Sequence, residues 1–279
     1  MEKRGISITL STVMLTAIVL TIVLSIALFA SGVIESQNQS MEFEEAKVNM
    51  NALAEIIEEV ASKLGSSGYV RLNARAGGPH FVITQEWITI SIENGTYTWT
   101  PPCFPSQIRL IKYKGGSLVS VSDYVILRGN LSGKPVPAKS VPMLVPGEES
   151  IPLGWVYTVQ ENGAWIVVDF GRIRVIKVGT FVFSKKGGAG SEKLGIVDIV
   201  YIHLDFGQLG GAGVFNVRAR SMNITRYIER FNGSSHVDIT AIRYRDGEQY
   251  TRTYRVSFSG VDGILVNVVY IKVVISTYG

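Results

Sequence analysis

Between Ile6 and Ile34 the chain carries no charge, no proline and no glycine before Gly32. As a helix rising about 1.5 Å per residue this run of 29 residues reaches about 43 Å, whereas a hydrocarbon core of about 30 Å needs only about 20. Any fold must therefore place the segment in lipid or bury it against other apolar surfaces.

What precedes the run is Met1-Glu2-Lys3-Arg4-Gly5. A secretory signal would carry a shorter apolar region and a small-residue cleavage site after it, and neither is found. Gly5 instead stands between the basic pair and the run, so a cut between Gly5 and Ile6 would leave the apolar segment on the mature chain. Lys3 and Arg4 favour the cytoplasmic side and the next charge is Glu35, which orients the amino end inward and the carboxyl end outward.

Lys3-Arg4-Gly5, then Ile6-Ser7 and a hydrophobic helix, resembles the short class III leader of type IV pilin-like proteins, above all archaeal pilins, adhesion-filament subunits and archaellins. The resemblance covers about the first 64 residues. It implies a prepilin-peptidase-type leader protease cutting after Gly5, an assembly platform with its ATPase in the inner or cytoplasmic membrane, and an extracellular helical homopolymer. In such a filament Ile8, Leu10, Val13, Leu15, Ile18, Leu20, Val23, Leu24 and Leu28 would form the packed core. Leu10 stands where bacterial pilins carry a glutamate, and no helix-breaking proline follows, which points to the archaeal branch with an unbroken helix. Ser7, Ser11, Thr12, Thr16, Thr21 and Ser25 recur through the run; small and hydroxyl side chains let helices approach closely, and their hydroxyls can bond the carbonyl one turn back.

Beyond Ile34 the helical signal continues. Ala46, Met50, Leu53, Ile57, Val60 and Leu64 recur at steps of three and four, marking one face, with Glu55, Glu59 and Lys63 on another. Met50, Leu53, Ile57, Val60 and Leu64 are expected to pack on the head domain, and Gly65 to end the helix. The polar stretch Ser36 to Ser40 leaves two alternatives open, one continuous rod from Ile6 to Leu64 or a hinge.

From Tyr69 onward the pattern is β. Alternating runs flank Asn94-Gly95, Asn162-Gly163 and Asp246-Gly247, three hairpin signals. Further strands are expected at Ile108 to Tyr113, Leu118 to Leu127, Ile173 to Phe183, Ile196 to Phe206, Val214 to Arg220 and Ile264 to Ile275. The fold class is α+β: a leader over 1–5, a long helix over 6–64 passing from hydrophobic to amphipathic, and a large antiparallel β-sandwich head over 65–279. The head is one sandwich or two sheets with Lys134 to Pro152 as a seam.

Charge is divided unevenly. Residues 35–64 carry seven Glu and two Lys, while residues 65–279 carry 23 Lys plus Arg against 15 Asp plus Glu. An acidic rod beneath a basic head favours contact between the two, and it suits acidic surfaces or cells rather than nucleic acid as outside partners. The single Cys103 excludes an internal disulfide and reads as a small apolar residue among prolines.

Chemistry is sparsely signposted. The chain lacks H-E-x-x-H, C-x-x-C, G-x-S-x-G and a Walker A loop. His203 and Asp205 share a strand face as a metal pair might, but two ligands are too few, and a surface hydrogen-bonded pair is the plainer reading. The runs Gly187 to Gly190 and Gly210 to Gly213 read as loops, since no helix follows to bind an anion. Neither an enzyme nor a cofactor is expected. Asn38, Asn94, Asn130, Asn223 and Asn232 begin glycosylation sequons, more than the Ser and Thr content would scatter by chance, as an exported glycoprotein would show. The sequence favours a structural filament subunit for surface adhesion. Its alternatives are an archaellin-type motility subunit, a membrane-anchored solute-binding protein and an anchored enzyme.

Overall fold

The computed structural model describes residues 3–122, 124–129, 143–147, 150–184, 190–211, 213–245 and 247–278, with side chains from Leu10 onward. One helix, α1 (Lys3–Ala61), precedes β1 (Ser67–Ala74), β2 (Gly78–Glu93), β3 (Thr98–Trp99), β4 (Ser106–Lys114), β5 (Val125–Arg128), β6 (Leu144–Pro146) and β7 (Trp155–Gln160). Then follow β8 (Ala164–Asp169), β9 (Ile173–Ser184), β10 (Ser191–Phe206), β11 (Gly213–Asn232), β12 (His236–Arg245), β13 (Glu248–Ser257) and β14 (Gly263–Tyr278).

The helix is continuous through Ser36 to Ser40, and the hinge alternative falls. The reason is local satisfaction of the polar groups: Ser40 donates to the Ser36 carbonyl at 2.9 Å and Gln39 to Glu35 Oε1 at 2.9 Å. The carboxyl end comes earlier than the apolar spacing suggests, at Ala61. The chain tightens through Ser62 and Lys63, the Ser66 hydroxyl donates to the Val60 carbonyl at 2.7 Å, and Gly65 takes a left-handed φ of 79°. Leu64 therefore lies in the turn with 59% of its surface exposed, and its expected place against the head is corrected.

The strands form two curled sheets. The first runs β1-β11-β14-β10-β9-β6, the second β13-β12-β2-β4-β8-β7-β5 with β3 added beside β2. The three hairpin signals join β2 to β3, β7 to β8 and β12 to β13. The head is not wholly antiparallel, because β10 pairs with β14 and β6 with β9 in parallel. Parallel neighbours need a long crossover, here the whole run β11 to β13 between β10 and β14. The expected strand from Leu118 to Leu127 shrinks to β5, since Gln39 on the helix and Gln160 take the backbone N–H groups of Leu118 and Val121. Conversely, β11 runs on past Arg220 to Asn232 across an irregularity at Ser221 to Asn223. The proposed seam from Lys134 to Pro152 lies mostly outside the described residues.

Two cores result, and single long strands serve both. On β10, Val197, Ile199 and Tyr201 enter one core and Ile202 and Leu204 the other; on β14, Ile264, Val266 and Val268 are followed by Ile271, Val273 and Ile275. The buried face changes halfway along each strand, so one end of the sheet packs on α1 and the other on the opposing sheet. The second half of α1 touches β1, β11 and β14 of one sheet and β5, β7 and β8 of the other.

Candidate functional site

The feature without a partner in the fold is the first half of α1. From Leu10 to Ile34 every large apolar side chain is exposed, from 41% at Val33 to 76% at Phe29. Leu10, Val13, Leu15, Ile18, Leu20, Val23, Leu24 and Leu28 all stand in this set, while the side chains of Lys3, Arg4, Gly5, Ile6 and Ile8 lie outside the described residues. Apolar residues surround the axis on all sides, a pattern that is stable only in lipid or against other apolar surfaces. Among the described residues this is one helix long and apolar enough to cross a membrane. Its hydroxyls are satisfied internally: Thr16 donates to the Thr12 carbonyl at 2.7 Å, Thr21 to Ala17 and Ser25 to Thr21 at 2.8 Å each.

The second half is amphipathic and gripped. Met50, Leu53 and Ile57 are fully buried and Val60 nearly so, joined by Phe43, Ala46, Ala54 and Ala61. The grip begins in the polar stretch and is made of hydrogen bonds that composition does not announce. Gln39 Oε1 accepts the Leu118 N–H at 2.9 Å, and Gly116 leaves room for it, since a Cβ there would stand 2.3 Å from that oxygen. The Glu42 carboxylate sits in a cradle of backbone donors, the N–H groups of Arg75 at 3.0 Å, Ala76 at 3.1 Å and Gly77 at 3.4 Å, and takes the Tyr113 hydroxyl at 2.9 Å. Burial and then the neighbouring Glu42 push the Tyr113 phenol well above its ordinary range. Higher up, Arg128 bridges Glu55 at 2.7 Å and Glu58 at 3.3 Å, and Glu58 accepts the Gly154 N–H at 2.6 Å. The acidic rod thus meets the basic head within one chain.

His203 and Asp205 do not form the hydrogen-bonded surface pair expected of them. His203 Nδ1 lies 3.0 Å from Ser106 Oγ, with its ring stacked on Tyr270. Asp205 is taken by Arg109 and, at 2.5 Å, by Lys272. Burial, then repulsion from Arg109 and Lys272, lowers His203 to about 4, so the imidazole is neutral near pH 7. Ser106 is buried on β4 and His203 stands on β10, so the pair ties the two sheets together. A second buried polar group links β12, β8 and β2: Arg243 binds Glu86 at 2.6 Å and Asp169 at 2.8 Å. Burial alone would raise Asp169; Arg243 and the Gly171 N–H outweigh it and hold the carboxyl below its usual range. Among the described residues no group of three or more His, Cys, Asp or Glu could hold a metal ion.

Of the sequons, Asn38, Asn223 and Asn232 are exposed and Asn94 is half-buried, its Oδ1 accepting the Thr96 and Tyr97 N–H groups in the hairpin turn. Asn223 donates to Thr225 Oγ1 at 3.0 Å, and Asn130 lies outside the described residues. Gly210 and Gly211 belong to the connection from β10 to β11, whereas Gly187 and Gly188 fall outside the described set. No protein-family model matches this chain, and neither a curated protein nor a solved structure is significantly similar to it.

Proposed function

We propose that this chain is the structural subunit of an extracellular filament of the type IV pilin-like kind, serving adhesion, with the two curled sheets as the halves of one sandwich-like head. The single observation that carries the reading is α1 itself: one unbroken rod whose first half is apolar on every side and whose second half is fixed to the head. A membrane anchor needs no rigid coupling to its cargo. A shaft does, because heads can only be ordered around a bundle if each is locked to its own helix.

The leader residues Lys3, Arg4, Gly5 and Ile6 would be read by the peptidase, and the bundle would exclude water as lipid did before assembly. Glycans at the exposed sequons would suit a head facing outward. The test is electron microscopy of material sheared from cells producing the chain, with sequencing of its amino terminus. Fibres built of a polypeptide beginning at Ile6 are expected; single molecules retained in bilayer would overturn the proposal. That second outcome is the anchored surface protein, a reading favoured by the span-length run Leu10 to Ile34 taken alone.

A further inference from the structure

The register of the first sheet separates the head into two ends. Near the shaft, Glu42 lies beside Arg75, and Ala74 pairs with Gly213 at the start of β11. Partway along, Gly65 bonds Ser221, which marks the top of the helix. At the far end Asn232, Gly263, Leu194 and Phe181 stand in one rank across β11, β14, β10 and β9. Nineteen steps along β11 at about 3.3 Å each put that rank about 60 Å from the base of the head.

Past this rank the ladder of β9 and β10 continues, Val182, Phe183 and Ser184 pairing with Lys193, Glu192 and Ser191, and Asp262 holds both backbone groups of Lys193, its N–H at 2.8 Å and its carbonyl at 2.7 Å. The result is a two-stranded ribbon, a form that is marginal without something to pack on. Its apolar side chains project on both faces, Phe181 and Phe183 at 45% and 42% exposure and Val182 at 67%. Lys193 stands in it and Lys177, further back along β9, lies over the Phe258 ring at 4.9 Å, while Glu192 is neutralised by Arg230.

A matching surface lies at the base. The side of α1 turned away from its own head carries Met41 and Val48, 71% and 67% exposed, between Glu45 and Glu44, the latter paired with Lys47 at 2.6 Å. These positions recur at helical spacing opposite the buried stripe of Phe43, Ala46 and Met50.

We infer that the β9–β10 ribbon of one copy docks on the Met41 to Val48 stripe of α1 in another copy, apolar residues meeting apolar and Lys193 meeting Glu45. The two surfaces lie at opposite ends of the head, so a chain cannot satisfy its own pair. The contact is head to tail and leaves a free surface at each end, the arrangement that grows a fibre rather than closing a dimer. This rests on the filament reading and adds to it a second contact, between heads and rods, outside the apolar core.

The test is oxidation of assembled fibres carrying Val48→Cys together with Val182→Cys. Both substitutions are made in a Cys103→Ser background, so that only the introduced thiols react. A ladder of covalent multimers is expected from the double variant and no cross-link from either single one. Dimers from Val182→Cys alone would mean that ribbons meet each other and would overturn the inference. Val182→Asp is expected to lower the yield of sedimentable fibre about tenfold, the cost of one apolar anchor, with the circular dichroism of the head unchanged. Fibres of Val182→Asp equal in yield to wild type would overturn the contact alone. A wild type that forms no fibre would overturn the filament reading, and the contact with it.

Discussion

The two halves of α1 share one backbone and differ in every other respect. Residues 43–61 bury a stripe and anchor polar side chains in the head, while residues 10–34 bury nothing. Helical geometry is therefore not what distinguishes them; the distribution of apolar residues around the axis is. A stripe calls for one neighbour, supplied by the same chain, and an all-round surface calls for neighbours on every side, which one chain cannot supply.

That contrast can be broken most directly by removing the first half. A chain of residues 35–279 is expected to remain in solution without detergent after centrifugation, and the full chain is not; insolubility of the shorter chain would place an apolar liability in the head as well. Next in size is Arg243→Ala, which leaves the buried Asp169 without its ion partner and Glu86 with Arg245 alone, and should cost about 3–5 kcal/mol in denaturant unfolding. Leu53→Ala in the gripped half should cost about 2–5 kcal/mol. Leu20→Ala in the exposed half should leave unfolding of the head unmoved, and equal losses at both sites would erase the distinction drawn between them.

Smaller effects sharpen the boundary between the halves. Glu42→Ala leaves the Arg75, Ala76 and Gly77 N–H groups and the Tyr113 hydroxyl without their shared acceptor and should cost about 1–3 kcal/mol. It should also raise hydrogen exchange selectively at those amides. A separate effect is a pH dependence at His203 on β10. Its folded value of about 4 lies below the ordinary 6.5, so the unfolded chain takes up the proton first. The contribution is complete above about pH 6.5 and is lost as pH falls toward 4. His203→Phe should flatten that part of the melting temperature profile, and an unchanged slope would place the titration elsewhere.

Much of this could be read along the chain. The rod followed from the absence of charge and helix breakers, its gripped face from Met50, Leu53, Ile57 and Val60 at steps of three and four, and the hairpins from Asn-Gly and Asp-Gly between alternating runs. The misses have a common cause. Leu64 continues the apolar period in sequence, yet the helix stops at Ala61 because Ser66 and Gly65 cap it and Ser221 takes the next amide. Asp205 sits two residues from His203, yet it is claimed by Arg109 and Lys272 from other strands. The polar stretch Ser36 to Ser40 leaves rod and hinge open; local bonds from Ser40 to Ser36 and from Gln39 to Glu35 decide for the rod, and Gln39 also receives the Leu118 N–H.

By itself the sequence determined the helix, its exposed apolar half and the positions of most strands, because these depend on periods and turn chemistry within a few residues. Only the tertiary structure decided the parallel pairing of β10 with β14, the change of buried face along those strands and the seat of Glu42 among backbone amides. Each of these joins groups distant in the chain, and no local pattern encodes which distant donor, acceptor or strand edge will be nearest once the chain has closed.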